Sequence, residues 1–191
     1  MEKIIRKIIR NREGREVTHE FTTYDFIFNP VKDPMLEKIR AFLLNGFQNG
    51  LPTLSISPSQ MPELILDVRK APSDCDLYME MAKKADYHER WFAQHRAVQE
   101  YLLRYHPHCV ATEVPVFNLK DDRAGLMDFL IYIPELQEVH IPDFKPKAAN
   151  EKKAATQLYW YKNDFCEQTQ ISRDRVRIMY FDDKNCYEVK C

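Results

Sequence analysis

Two acidic side chains and one lysine stand in or beside the most apolar part of the sequence. Asp128 interrupts the run Leu126–Ile133, which predicts a strand buried on both faces. A buried carboxylate without a partner is destabilising or stays protonated, so Asp128 requires one. Asp143 and Lys145 follow in the next predicted strand, where their two-residue spacing places both side chains on one face while Phe144 points into the core.

Carboxylates gathered on one face of a sheet favour a bound cation. At about 4 Å and an effective dielectric near 20, Asp128 and Asp143 would repel each other by about 4 kcal/mol. Oxygen ligands without thiolates favour Mg²⁺ or Mn²⁺ over zinc. Such a site can polarise a phosphodiester and activate water, with Lys145 orienting or deprotonating that water. The alternative that the residues leave open is an ordinary salt bridge between Lys145 and one carboxylate.

Four further residues extend this pattern, and each has a plainer alternative. Glu113 lies in the alternating run Val110–Phe117 and can join the carboxylates, or it faces solvent. His95 lies on the apolar stripe of a predicted helix. It is either a metal ligand or a core histidine whose hydrogen bonds are satisfied within the protein. Gln157 and Tyr161 are four residues apart on a later predicted helix and share one face. The plainer alternative is that this face is an ordinary amphipathic surface.

Length and composition exclude several classes of protein. The chain has 191 residues, 45% of them hydrophobic, and a formal net charge of −1, which indicates a folded domain and excludes a histone-like coat on nucleic acid. It lacks the roughly 20 consecutive apolar residues of a membrane span. The charged N-terminus lacks the apolar stretch of a secretory signal, so we expect a cytoplasmic protein. Five scattered cysteines then predict reduced thiols.

The predicted elements alternate between strands and helices. An N-terminal hairpin turning at 11–14, a helix from Pro34 to Gly46 and a short helix capped at 57–60 come first. Then follow a helical region at 76–105, strands at 110–117, 126–133 and 139–145, a helix at 148–165 and a strand at 175–181. This order predicts an α/β fold with a central mixed sheet flanked by helices, in which the strand 126–133 is central. We divide the chain into an N-terminal extension, 1–54, and a core, 55–191.

Taken in order, the motifs resemble those of the PD-(D/E)XK nuclease superfamily, and within it the RecB-type branch that includes exonucleases of CRISPR adaptation. Gly125-Leu126-Met127-Asp128 resembles the GxxD strand of that branch, Asp143-Phe144-Lys145 its (D/E)xK strand, and the segment from Gln157 to Tyr161 its QxxxY helix. Fifteen residues separate the two aspartates, and twelve separate the lysine from the glutamine. His95, Glu113 and the serines at 57 and 59 also match positions of the branch.

The resemblance implies a fold, an activity and a set of site residues. It implies a restriction-endonuclease-like αβββαβ core and a divalent-metal-dependent nuclease, with DNA favoured over RNA and exonuclease over endonuclease. The implied metal ligands for one or two Mg²⁺ or Mn²⁺ ions are Asp128, Asp143, the Phe144 carbonyl, His95 and Glu113. The implied catalytic residues are Asp128, Asp143, Lys145 and Glu113, and the residues expected to bind nucleic acid are Gln157, Tyr161, Lys147, Lys152 and Lys153.

Two features depart from the branch. Many members bind an iron–sulfur cluster, but Cys166, Cys186 and Cys191 are too far apart for the compact trio, so we expect none. Pro142 removes a ladder donor next to Asp143 and predicts a sheet edge or a bulge there. Two alternatives to a DNA nuclease stay open: a non-catalytic nucleic-acid-binding module with the same fold, and an RNA-directed nuclease.

Overall fold

A computed structural model describes residues 4–10, 12–22, 33–47, 52, 64, 66–70, 75–85, 91–151 and 153–191. In chain order its elements are β1 (Ile4–Arg10), β2 (Glu16–Thr22), α1 (Pro34–Asn45), β3 (Asp67–Lys70), α2 (Asp76–Lys84), α3 (Trp91–Tyr105), β4 (Cys109–Asn118), β5 (Arg123–Ile133), β6 (Glu138–Phe144), α4 (Ala154–Thr169), β7 (Val176–Phe181) and β8 (Cys186–Lys190). In the part of the chain so described, no helix is long and apolar enough to cross a membrane.

The strands form one mixed sheet in the order β1-β2-β4-β5-β6-β7-β8-β3. The β6–β7 pair is parallel, and the other pairs are antiparallel. Two adjacent parallel strands require a long crossover, which α4 provides. The strand β5 lies in the middle of the order, as its apolar run predicted. The predicted α/β class, with a mixed sheet flanked by helices, is confirmed.

Two apolar layers hold the helices against the sheet. The layer under α1 and α4 includes Leu43 and Phe165, and the layer under α2 and α3 includes Leu102. Residues of β5 alternate between the layers, since Leu130 belongs to the first and Phe129 to the second. Both faces of the middle strands are therefore buried, which explains why their sequences are almost continuously apolar.

The N-terminal hairpin joins the same sheet. Of the turn predicted at 11–14, the described residues form a turn at Arg12 and Glu13, between β1 and β2, and β2 pairs with β4 through Glu20 and Phe21. On β1, Ile9 is buried in the core and Lys7 Nζ donates a 2.7 Å hydrogen bond to the Leu44 carbonyl of α1. Asp33 caps α1 by accepting from the N–H groups of its first turn. One side of the hairpin is therefore fixed against α1.

Several predicted boundaries were wrong. The helical region predicted at 76–105 contains two helices, and the first ends in a turn at Ala85. The apolar stripe that includes His95 was expected to reach Tyr105, but Tyr105 is exposed. The helix predicted from 148 begins at Ala154, because Asp182 accepts a 2.8 Å hydrogen bond from Ala148 N–H and fixes a separate 3₁₀ turn there. The strands β3 and β8 were not predicted. The short helix expected after 57–60 and the domain boundary at 54/55 lie outside the described residues, apart from Leu64.

A buried histidine sits where α3 ends. His106 N–H donates the last helical hydrogen bond, to Leu102, and its ring stacks on Tyr78 at 5.4 Å between centroids. Its Nδ1 accepts a 3.1 Å hydrogen bond from the N–H of His108. Burial and the neighbouring His108 and His140 lower the pKa of His106 to about 3. The folded protein therefore keeps the His106 imidazole in its neutral form.

We predict that His106 makes the protein sensitive to acid. Between about pH 6.5 and 3 the unfolded chain binds a proton that the folded state excludes, so stability is complete above this window and falls as the pH drops through it. His106→Asn keeps an acceptor for the His108 N–H but does not titrate. In urea unfolding between pH 6 and pH 4, wild type should lose about 1.4 kcal/mol per pH unit more than this variant. Equal slopes would contradict the assignment.

Candidate functional site

Three acidic residues form one row across the middle of the sheet. Glu113 of β4 lies opposite Asp128 of β5, because the flanking residues are paired, Thr112 with Phe129 and Val114 with Met127. The strand β6 brings Asp143 next to Asp128 beyond the last β5–β6 pair, Ile131–His140, because the following residue, Phe144, donates its N–H to the Asp128 carboxylate. Residues directly opposite one another in antiparallel strands present their side chains to the same face. The row thus collects three carboxylates from three adjacent strands.

The strands β5 and β6 separate at this row. Their backbone pairing covers only Ile131–Ile133 of β5, and Pro142 has no N–H to extend the ladder. Asp128 Oδ2 instead accepts a 2.8 Å hydrogen bond from the N–H of Phe144. The predicted edge or bulge at Pro142 is corrected: β6 is an interior strand, and Pro142 stands in an unbroken parallel register with Met179 of β7. The proline opens the sheet on the β5 side only.

Asp143 and Lys145 form an ion pair at this opening. Their Oδ2 and Nζ atoms are 2.5 Å apart, and the Asp143 side chain is only 2% exposed. Phe144 between them is buried in the core, as the alternation predicted. Burial raises the pKa of Asp143 to about 7. Repulsion from Asp128 adds to this effect, and the positive charge of Lys145 opposes it. Burial favours neutral Lys145, but the two carboxylates outweigh it and raise its pKa, so the lysine is a cation at neutral pH.

Helix α3 brings two side chains to Asp128. His95 Nδ1 lies 3.6 Å from Asp128 Oδ2, and Gln99 Nε2 lies 3.5 Å from Oδ1. Burial opposes ionisation of Asp128, but His95, the charge of Lys145 and the N–H of Phe144 outweigh it and lower the pKa of this carboxyl. The structure thus places the predicted His95 in the cluster. Gln99 was not predicted, although its four-residue spacing from His95 puts both on one helix face.

Glu113 is held in an unusual backbone conformation for a strand residue. Its φ is 53°, in the left-handed region that non-glycine residues rarely adopt. Gln99 Nε2 donates a hydrogen bond to Glu113 Oε1. Burial and repulsion from Asp128 raise the pKa of Glu113. Backbone strain of this kind persists only where the surrounding structure enforces it, and it is concentrated at functional sites. Glu113 therefore belongs to the carboxylate group and is not an ordinary solvent-facing residue.

The helix α4 closes the site from the other side. Gln157 and Tyr161 share one face of α4, as their spacing predicted, and Gln157 Nε2 donates a 2.6 Å hydrogen bond to the Tyr161 hydroxyl. Burial and the charge of Asp143 raise the pKa of Tyr161, so the hydroxyl stays protonated beside the ion pair. Gln157 Oε1 is buried and has no hydrogen-bond partner among the described residues. An unmet acceptor beside an acidic site is available to an incoming polar ligand.

Gly125 is needed for the packing of this tyrosine. A Cβ atom at Gly125 would lie 2.3 Å from Cε1 of the Tyr161 ring. The glycine of the first motif and the tyrosine of the last motif are therefore in direct contact. This contact fixes α4 over β5 next to Asp128.

Of the three lysines expected to bind nucleic acid, the structure describes two. Lys147 and Lys153 are exposed on the segment that connects β6 to α4. Lys147 has a φ of 76° and begins the 3₁₀ turn, whereas the N–H of Lys153 is bonded to Glu151. Lys152 lies outside the described residues. Two lysines thus flank the chain segment that follows Lys145.

The donor set fits a magnesium-type ion held by few protein ligands. Within the ranges that the structure describes, no three His, Cys, Asp or Glu side chains converge into a metal-binding group. Mg²⁺, however, is bound in many enzymes by one or two carboxylates, water and substrate phosphate rather than by an all-protein cage. Asp128 and Asp143 provide such a pair, and a cation would offset their repulsion. An iron–sulfur site does not fit, since Cys166 packs on one face of the sheet and Cys75 and Cys186 on the other.

Comparisons of the chain with protein-family models, with curated proteins and with solved structures gave no match. The chemistry of the site must therefore be inferred from its own residues.

Gly125→Ala should destabilise the protein by about 1–3 kcal/mol, because the added methyl group overlaps the Tyr161 ring. Urea unfolding of wild type, of each single variant and of the double variant with Tyr161→Leu would measure the coupling. The cost of the alanine should shrink when the ring is absent. The same cost in both backgrounds would show that the glycine is not needed for this contact.

Proposed function

We propose that this protein is a divalent-metal-dependent nuclease with a restriction-endonuclease-like core, which hydrolyses phosphodiester bonds in DNA. The observation that carries the proposal is the row of Glu113, Asp128 and Asp143 across three adjacent strands, with Lys145 bonded to the last of them. A structural salt bridge requires only one carboxylate. Three carboxylates whose pKa values are shifted in different directions, gathered at an opening in a sheet, are typical of a site that binds a cation or a reacting group.

In this proposal Asp128 and Asp143 hold Mg²⁺ or Mn²⁺ together with the carbonyl of Phe144, and His95 and Glu113, which lie beside Asp128, are the further expected ligands. When bound, the ion polarises the phosphate and lowers the pKa of a coordinated water. The chain's own contribution is to keep the carboxylates in place, through the Phe144 N–H on Asp128 and the lysine on Asp143.

Lys145 acts through its charge. Its raised pKa keeps it an ammonium at neutral pH, and an ammonium cannot accept a proton from water. We therefore assign it to orienting the attacking water and to offsetting the negative charge that develops on the phosphate. A role as general base would require a lowered pKa.

The opposite wall would bind the nucleic-acid backbone. The protonated hydroxyl of Tyr161 and the amide of Gln157 are hydrogen-bonding groups of the kind that position phosphates, and Lys147, Lys152 and Lys153 add positive charge. Exonuclease action on DNA is favoured by the motif resemblance alone. An RNA substrate and a non-catalytic binding module are the alternatives that the following experiment separates.

Asp143→Asn and Lys145→Gln should each reduce cleavage at least about 100-fold, because each removes a charge that acts on the reacting phosphate. The assay would use labelled linear and circular, single- and double-stranded DNA, and RNA of the same sequence, with Mn²⁺ or with EDTA. The control is Lys120→Gln, which removes an exposed lysine paired with Glu167 at 3.2 Å and should leave cleavage unchanged. Wild-type rates in either site variant, or cleavage in EDTA, would contradict the proposal.

Manganese should stabilise the wild-type protein through the same carboxylates. A ligand at about 100 times its Kd adds about 2.7 kcal/mol to the free energy of unfolding, which thermal denaturation detects as a higher Tm. Asp128→Asn should remove most of this increase. Asp67→Asn, which neutralises an exposed aspartate paired with Arg69, should retain it. An unchanged Mn²⁺ response in Asp128→Asn would place the ion elsewhere.

A further inference from the structure

A cavity of about 520 Å³ lies beside the carboxylate row, between the N-terminal hairpin and α3. Arg6 and Ile8 of β1 line it on one side and Arg96 of α3 on the other. His95 and Glu113 line it as well, and both belong to the candidate site. The cavity and the site therefore share a wall.

The position of the hairpin arginine is fixed by strand register. Arg6 pairs with Glu20 of β2, and Glu20 pairs with Thr112 of β4, the residue before Glu113. Arg6 and Ile8 are two residues apart and point to the same side of β1. Ile9, the residue after Ile8, points to the opposite side and is buried, which leaves the Arg6 side of the ribbon facing the cavity.

Each of the two arginines is held by a glutamate through its Nε atom. Arg6 Nε is 2.5 Å from Glu20 Oε1, and Arg96 Nε is 2.8 Å from Glu100 Oε1. A guanidinium has five N–H donors, so the four on its Nη atoms lie outside that bond. Exposed ion pairs contribute only about 0–1 kcal/mol, so phosphate oxygens can bind here by joining or replacing the glutamate. The glutamates orient the two cations without saturating them.

The cavity also has an apolar wall. Ile8 is 58% exposed, although it is a large aliphatic side chain. Two cations, each paired with a glutamate that also lines the cavity, stand beside this apolar surface and match a phosphate attached to a sugar and a base. The volume lies within the range of small-molecule sites, which suits one nucleotide and not a base-paired segment.

We propose that this cavity binds one unpaired nucleotide of the substrate strand, next to the scissile phosphodiester. Arg6 and Arg96 bind its phosphate, and Ile8 packs against its sugar or base. This inference rests on the proposed nuclease function, because the carboxylate row defines where the scissile bond lies. It gives the hairpin, which the motif resemblance does not cover, a part in substrate binding. It also implies that single-stranded ends bind better than fully paired duplex.

The strand β1 offers a matched pair of variants. Arg6 and Arg10 each stand opposite a glutamate of β2, at 2.5 Å from Glu20 and 3.0 Å from Glu16, and their side chains are 63% and 65% exposed. Arg6 lines the cavity, whereas Arg10 is not among the described residues that do. Both glutamine variants should unfold at the same urea concentration as wild type, so that differences in binding report on the cavity.

Binding of a fluorescein-labelled single-stranded oligothymidylate would be measured by anisotropy in EDTA over a range of salt concentrations. Arg6→Gln and Arg96→Gln should each raise the Kd roughly tenfold and reduce the salt slope by about 0.7. Arg10→Gln should change the Kd by less than about twofold. Equal Kd values for Arg6→Gln and Arg10→Gln would overturn the inference.

Cleavage assays separate this failure from failure of the proposed function. With Mn²⁺, wild type should cleave the single strand with a KM at least roughly tenfold below that for a hairpin duplex of the same sequence, and Arg6→Gln should raise that KM. A cleaving wild type with equal KM values on both substrates would overturn the unpaired nucleotide alone. A wild type that cleaves neither DNA nor RNA would overturn the nuclease function itself.

Discussion

The separation of β5 from β6 is the constraint on which the candidate site depends. In an unbroken ladder the N–H of Phe144 would bond to a backbone carbonyl, and Asp128 would be a buried charge without a partner. Pro142 cannot donate, the ladder stops at Ile131, and the Asp128 carboxylate accepts the Phe144 N–H instead. One missing donor therefore accounts both for the opening in the sheet and for the stability of a carboxylate inside it.

The three carboxylates of the row have different electrostatic environments, although they lie on adjacent strands. Asp128 has a lowered pKa, because a backbone N–H, an imidazole and an ammonium act on it together. Burial and repulsion raise the pKa values of Asp143 and Glu113. A divalent cation at this row would favour the charged form of all three carboxyls and would offset the burial and repulsion that raise two of their pKa values.

Local periodicity in the sequence was enough to predict which neighbouring side chains share a face. Alternation located Asp143 and Lys145 on one face, and helical spacing located Gln157 beside Tyr161. Features set by distant residues could not be predicted in this way. All four residues of β3 are exposed, so the strand has no buried face to mark it in the sequence, and it forms by pairing with β8. The left-handed φ of Glu113 and the bridging role of Gln99 likewise follow from tertiary packing, which leaves no periodic signal in the chain.

The hairpin shows how register alone can connect an extension to a site. Its arginine reaches the neighbourhood of Glu113 through two successive cross-strand pairs, from β1 to β2 and from β2 to β4. A slip of one residue in either pairing would turn Arg6 to the face that packs on α1 and would bring buried Ile9 into the cavity. Burial of Ile9 and the bond from Lys7 to α1 oppose such a slip. The hydrophobic side of the hairpin therefore determines where its cationic side lies relative to the carboxylates.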